Sequence, residues 1–405
     1  MDFSDSPKEA AFRAEAKAWL ASNVPSAAEL DGLDPLTAAK LWQKRKYDAG
    51  WACITWPKEF GGRGASAIEQ VIWNQEESKF QGLPGGVFSI GQGMAAPTLM
   101  TWANDEAKAR FIPKLASGEE IWCQLFSEPA GGSDLAALRT RAVKDGDEWV
   151  INGQKIWTSG AHYSDWAILV VRTDPSVPKH KGLTYFYINM KSPGVEVKPI
   201  KQISGEAHFN EVYFTDVRVP DSQRLGAVGQ GWQVSLTTLM NERASIGAGG
   251  SAVGFDSVFK LAQKVEIDDR PAIENASVRA KLADWYCQES GLRYTAYRTL
   301  TALSRGAIPG PENSIGKLVG APKTQDMASF AMDLLEQAGA IRDESLSEEM
   351  ALYQNTYLSI PGLRIAGGTD EIMANIIAER VLGLPQDVRV DKGIPFSEVP
   401  TGGAK

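Results

Sequence analysis

Four stretches bring together residue types that could do chemistry. In Ser127-Glu128-Pro129-Ala130-Gly131-Gly132-Ser133-Asp134, adjacent glycines leave backbone amides open beside hydroxyls and carboxylates. Such a loop can hold a polar or anionic ligand, and the same composition also makes an ordinary turn. In Asn152-Gly153-Gln154-Lys155-Ile156-Trp157-Thr158-Ser159-Gly160, a tight turn leads to an indole flanked by hydroxyls and glycine. That indole is either a core ring before a turn or a flat platform for a planar ligand. Further on, Glu242 and Arg243 sit in a helical stretch. On a wheel of about 100° per residue, Trp232, Leu236, Leu239, Met240 and Ile246 form an apolar stripe, with Arg243 inside it and Glu242 roughly 80° from its centre. A carboxylate there is either a solvated edge residue or a base facing a cleft. Last, Gly367-Gly368-Thr369-Asp370-Glu371 reads as a turn into a capped helix with acids in its first turn.

Other chemistries find little support. His162, His180 and His208 are isolated, with no HxxxH or HExxH spacing, so no metal site is expected. Cys53, Cys123 and Cys287 fit neither a disulfide framework nor a CxxC pair, which points to a reducing compartment. A net charge of −8 without a basic cluster argues against a nucleic-acid partner. No long run is free of charge, so no membrane span is expected, and the acidic N-terminal stretch lacks signal-peptide character. These readings place the protein in the cytoplasm.

The elements that must position these stretches change texture along the chain. Ser6-Pro7 with Glu9 starts a helix that Pro25 stops, and helical patterns follow at roughly 35–50, 66–82 and 105–117. A loop rich in Trp, Pro and Gly, GWACITWPKEFGGRGAS, interrupts them. From about residue 121, short aromatic and β-branched runs alternate with turn dipeptides, as in Asp145-Gly146 and Asn152-Gly153. After Gly231 the helical pattern returns, and the tail VDKGIPFSEVPTGGAK reads as a poorly structured arm. The expected division is a helical domain over 1–120, a β domain over 121–225 and a second helical domain over 226–405, of class α+β.

WPKEFGG, SEPAGGSD, NGQKIWTSG, the MNER helix and GGTDEIMANIIAERVLG, in that order and over nearly the whole chain, resemble the acyl-CoA dehydrogenases. The resemblance implies an N-terminal helical domain, a β-barrel-like middle domain and a C-terminal four-helix bundle, with FAD and acyl-CoA between them. It implies flavin contacts at Gln124, Phe126, Ser127, Trp157, Ser159, Thr369 and Glu371, and a coenzyme A contact at Ser133. Ser159 stands where threonine is frequent. Many members carry the base as the Glu of a Tyr-Glu-Gly-Thr segment, but the matching run here is Ala366-Gly367-Gly368-Thr369, and Gly367 has no side chain. A minority, including isovaleryl-CoA dehydrogenase-like enzymes, take it from the first helix after the β domain, immediately before an arginine. Glu242-Arg243 fits that arrangement.

By this resemblance Glu242 removes the substrate α-proton, the β-hydride goes to FAD, and the backbone N–H of Gly367 polarises the thioester carbonyl. Arg243 is placed with the substrate-binding groups. Electrons then pass to an electron-transfer flavoprotein. The family's Arg-x-x-Phe-Gly and Gln-x-x-Gly-Gly segments for the ADP half of FAD are not intact around Arg270 and Gln337. The chain therefore acts either as a homo-oligomer, a dimer or tetramer, or beside a related chain that completes the site. A subunit without turnover, and an oxidase or monooxygenase on the same fold, remain as alternatives.

Overall fold

A computed structural model of the chain describes residues 5–80, 82–246, 253–304, 310–343, 345–346 and 348–400; the side chains at 242–246, 303–304 and 348–350 lie outside the described set. The chain divides into two compact units. One holds residues up to Lys201, Ala207–Ser245 and the segment from Arg389; the other holds Gln202–Glu206 and Ile246–Val388.

The first unit starts with six helices: α1 (Pro7–Asn23), α2 (Ala27–Leu30), α3 (Pro35–Asp48), α4 (Ala67–Glu77), α5 (Ala96–Trp102) and α6 (Asp105–Ser117). Their starts follow local chemistry. Ser6, Ser26 and Ser66 each form a reciprocal capping box with a glutamate three residues on, and Asp34 and Asn104 cap α3 and α6. Three helical pieces escape the sequence patterns: the short α2, a π-helical turn at Gly91–Ala95, and α5, into which that turn runs. Glycine lets this turn pack closely on α6, because a Cβ on Gly91 would lie 2.9 Å from Leu115 Cδ2.

Eight strands follow, β1 (Trp122–Leu125), β2 (Arg141–Asp145), β3 (Glu148–Ser159), β4 (Trp166–Arg172), β5 (Leu183–Asn189), β6 (Val195–Ile200), β7 (Phe209–Pro220) and β8 (Arg224–Leu225). They form one sheet in the order β6-β7-β3-β2-β4-β5-β8, with β1 pairing in parallel to β4. One of its cores, around Leu125, Ile151, Leu169, Phe186 and Phe214, is built from strands and their connecting turns, so the sheet curves around its own interior. The opposite side packs Trp122, Ile168 and Tyr185 against Leu99, Phe111 and Leu115 of α5 and α6. With both faces covered, β4 and β5 are buried almost throughout and lack the usual alternation.

Helix α7 (Gly231–Ile246) then returns along the sheet. A Cβ on Gly231 would lie 2.6 Å from the Leu183 carbonyl carbon, so only glycine lets the helix start directly on β5. Its buried face differs from the apolar stripe read off the sequence: Val234, Ser235 and Thr238 are buried, while Leu236 and Met240 are exposed. Hydroxyl groups can line this interface because each is satisfied, Ser235 Oγ on the Gly231 carbonyl at 2.7 Å and Thr238 by Thr98 and Tyr185.

The second unit contains α8 (Phe255–Lys264), a small hairpin of β9 (Glu266–Ile267) and β10 (Arg270–Pro271), and helices α9 (Ala276–Ser304), α10 (Ser314–Leu334), α11 (Glu348–Leu363) and α12 (Asp370–Ile376). Helices α8 to α11 share one core through Leu261, Trp285, Met327 and Tyr353. Among the described residues, no helix is long and apolar enough to cross a membrane. The C-terminal stretch differs from the expected loose arm. Phe396 is buried, and Phe396 and Ser397 donate backbone hydrogen bonds to the Val177 and Pro175 carbonyls of the first unit.

Candidate active site

A local distortion of the β domain lies in β3. Between Lys155, paired with Val212, and Thr158, paired with Asn210, the strand carries one residue more than its partner. The bulge puts Trp157 at φ +60° and leaves it 55% exposed, with Phe209 edge-on to its ring at 5.9 Å. A β-domain tryptophan in the left-handed region and half in solvent is neither a good fold former nor a core ring, so the surroundings must impose it.

Those surroundings are a buried ion pair. Lys155 is fully buried and donates to Glu128 Oε1 at 2.8 Å and to the Phe126 carbonyl at 2.9 Å. Glu128 also accepts from the amides of Arg139 at 2.6 Å and Thr140 at 2.9 Å, and the Ile156 amide donates to the Ser127 carbonyl at 2.9 Å. Burial pulls the Lys155 ammonium down to about 8 against the attraction of Glu128. For Glu128, burial pushes upward, but Lys155 and the hydrogen bonds from Thr140 and Arg139 outweigh it and hold the carboxyl below its ordinary range. The pair thus ties the Phe126–Glu128 segment to the bulge that presents Trp157.

This arrangement brings Ser127, Trp157 and Ser159 together, with Gln124 in the strand leading into Ser127. The side chains of Gln124, Ser127 and Ser159 have no hydrogen-bond partner among the described residues, and Thr158 Oγ1 is buried and also unpartnered. Phe126 offers only its main chain, because its ring is buried edge-on against Tyr185 at 5.8 Å. Ser133 lies exposed farther along the same loop. A half-exposed planar ring beside unsatisfied hydroxyl and amide groups fits a flat, polar cofactor.

Helix α7 approaches with its own anchors. Thr98 and Thr238 hydroxyls meet at 2.8 Å, Tyr185 joins Thr238 at 2.9 Å, and Trp102 Nε1 donates to Thr237 at 3.0 Å. Thr98, Thr238 and Tyr185 are fully buried. Glu242 follows Thr238 by one helical turn; its side chain and that of Arg243 lie outside the described residues.

In the second unit, Gly367 at φ +64° and Gly368 at φ +96° form the turn before α12. Lys317 donates to the carbonyls of Ala366 and Gly368, and Arg364 pairs with Asp370 at 2.7 Å. The Gly367 amide donates to no group among the described residues. Thr369 caps α12 through Ile372, and the α12 amide at Glu371 together with the Thr369 hydroxyl holds the exposed Glu371 carboxyl below its ordinary range. Arg270 is exposed in the hairpin, whose turn residues Asp268 and Asp269 both have positive φ, and Gln337 is exposed in a short 3-10 turn.

Cys53 and Cys123 are pushed up to about 12 by burial, which makes them inert thiols. Among the described residues, no group of three His, Cys, Asp or Glu side chains could hold a metal.

Models of the acyl-CoA dehydrogenase N-terminal, middle and C-terminal domains match residues 6–119, 123–217 and 229–382 in turn. The chain belongs to the acyl-CoA dehydrogenase family. It is 36% identical over 390 residues to the acyl-CoA dehydrogenase IpdE1 of Mycobacterium tuberculosis, spanning 93% of this chain and 98% of that protein. The ChsE4-ChsE5 complex from Mycobacterium tuberculosis superposes with a TM-score of 0.77 at 28% identity, over 96% of this chain and 100% of that one. The Tcur3481-Tcur3483 steroid acyl-CoA dehydrogenase gives 0.78 at 29% identity, over 96% and 100%. The protein is therefore an oxidoreductase and flavoprotein of lipid metabolism that depends on FAD and dehydrogenates acyl-CoA thioesters.

The expected α+β class is the one observed, with helical parts before and after the sheet along the chain. Glu128, Lys155, Thr98, Tyr185 and Thr238 escaped the sequence reading as site-positioning residues. For Lys155 a signal existed: it shares the inward parity of Trp149 and Ile151 on β3, where a charged residue needs a buried partner.

Proposed function

We propose that Glu242 is the base that removes the α-proton of the acyl-CoA, and that the Trp157 bulge is the platform on which the flavin ring lies. The observation that carries the flavin half is the exposed, positive-φ Trp157 held over the Glu128–Lys155 pair beside unpartnered Gln124, Ser127 and Ser159. Bound FAD supplies the acceptor for the β-hydride. Ser127 and Ser159 offer hydroxyls to it, Phe126 its main chain, and Thr369 and Glu371 act from the start of α12. Ser133 takes the coenzyme A portion, Arg243 assists at the substrate, and the free Gly367 amide polarises the thioester carbonyl. Product is the 2,3-enoyl-CoA, and electrons leave to an electron-transfer flavoprotein.

The base assignment is supported by the glycine at position 367, which cannot abstract a proton, and by α7, whose buried hydroxyl anchors end one turn before Glu242. Glu242→Gln is expected to keep its flavin and bind enoyl-CoA while losing about 10³-fold or more in kcat. Near-normal turnover of that variant would show that another group is the base.

A second reading concerns assembly. The segments around Arg270 and Gln337 lack the family's Phe-Gly and Gly-Gly, which supports completion of the ADP site by a related chain. The ChsE4-ChsE5 and Tcur3481-Tcur3483 structures, each of paired chains, add to that support. The homo-oligomer is the alternative outcome.

A further inference from the structure

We propose that the C-terminal segment Asp391–Val399 is a strap that positions the Gly131–Leu138 loop for the nucleotide end of a coenzyme A thioester. The inference rests on the assignment of Ser133 to coenzyme A.

Two cationic side chains join strap and loop. Lys179 donates to Asp134 Oδ2 at 2.6 Å, next to Ser133, and also pairs with Asp391 of the strap. Arg172 is buried. Its Nε donates to the Leu138 carbonyl at 3.0 Å, Nη2 to the Ala136 carbonyl at 2.6 Å, and Nη1 to the Lys179 carbonyl at 3.2 Å. No carboxylate pairs with it among the described residues. Its open face is covered by the ring of Phe396, 3.5 Å from the guanidinium carbon to the ring centroid. The backbone of the strap is docked independently, by a Pro178–Pro395 bridge and by the Phe396 and Ser397 amides on the Val177 and Pro175 carbonyls.

The physical consequence is local. Three carbonyls of the loop and of the Lys179 turn depend on one desolvated guanidinium, and Phe396 keeps water from competing for it. Without the ring, water can reach Arg172, and the loop that carries Ser133 loses its fixed geometry. Lys181 and the exposed Arg139 add cationic groups around this loop, while Lys179 is paired with Asp134 and Asp391 and burial keeps His180 toward its neutral form. Within a coenzyme A thioester the anionic part is the phosphates of the nucleotide end; the pantetheine arm and thioester are neutral. The strap therefore acts on nucleotide-end affinity and leaves the proton and hydride transfers untouched.

The test uses the assembled flavoprotein and a single acyl group carried on coenzyme A or on pantetheine. Phe396→Ala, and truncation after Val388, should raise KM for the coenzyme A thioester by about ten-fold, with kcat and flavin absorbance within about two-fold of wild type. The kcat/KM for the pantetheine thioester should not change, and Phe396→Tyr, which keeps the ring, should behave as wild type. Phe396→Ala is decisive if the truncated chain does not fold. An equal loss on both thioesters, or no loss on either, overturns the strap. A wild-type assembly that turns over no acyl-CoA overturns the underlying assignment, and the strap falls with it.

Discussion

At the scale of single residues, the chemistry depends on charges kept where water is scarce. Glu128 ties the flavin-side loop to the Trp157 bulge only while it is ionised. Because its folded carboxyl is depressed, the stability it adds is fully present above the unfolded value of about 4.3 and is lost as pH falls through the lower folded one. Glu128→Gln leaves the fully buried Lys155 without its counter-charge and should cost roughly 3–5 kcal/mol near neutral pH. Denaturant melts should show the gap to wild type narrowing as pH falls below the unfolded value of about 4.3, since the unfolded chain takes up a proton there that the folded Glu128 does not. A gap that stays constant down to acid pH goes against an ionised Glu128 as the support. The same variant should release flavin more readily at neutral pH.

At the scale of elements, α7 and β3 show two ways of holding a functional group. The β3 bulge does it by strain, with a tryptophan forced to positive φ by the pairing on either side. Helix α7 does it by a hydrogen-bonded interface in place of an apolar one. Thr238→Val removes one of the two threonine hydroxyls that meet the buried Tyr185 hydroxyl, the other being Thr98, and should cost about 1–3 kcal/mol. Adding Tyr185→Phe should recover part of that cost, because the hydroxyl left short of a partner disappears. If these bonds set the register of the turn bearing Glu242, Thr238→Val also lowers kcat at saturating substrate; a destabilised variant with wild-type kcat would assign the triad to folding alone.

At the scale of the molecule, the question is whether one chain type completes the cofactor site. Arg270 and Gln337 stand where the family's ADP-binding segments are expected; both are exposed, Arg270 on strand β10 and Gln337 in a 3-10 turn, and neither side chain has a partner among the described residues. If a related chain completes the site, the protein expressed alone should be folded by circular dichroism and nearly colourless. It should gain flavin absorbance at about 450 nm on co-expression with such a partner. Stoichiometric flavin in the chain alone establishes the homo-oligomer instead.

Much of this organisation is legible in the amino-acid sequence. The change from helical to strand and back to helical texture, the capping residues Ser6 and Thr369, and the Ser127–Asp134 and Asn152–Gly160 segments all follow from local propensity and turn chemistry, which act over a few residues. The missing carboxylate at Gly367 was legible for the same reason: a residue type either has a side chain or does not. What tertiary structure decided was non-local. The apolar stripe on α7 proved to be only part of its packed face: Trp232 and Leu239 pack on the core while Leu236 and Met240 are exposed, and Thr98 on α5 and Tyr185 on β5 satisfy hydroxyls that periodicity counts as polar. The tail read as a loose arm docks because Arg172, far away in sequence, offers Phe396 a face to cover. Trp157 was left between core and platform by its residue type, and its exposure depends on a bulge enforced by Lys155 and Glu128. Local sequence sets which conformations and charges are on offer. Partners tens of residues away, meeting only in the folded core where unsatisfied polar groups are costly, settle which of them are used.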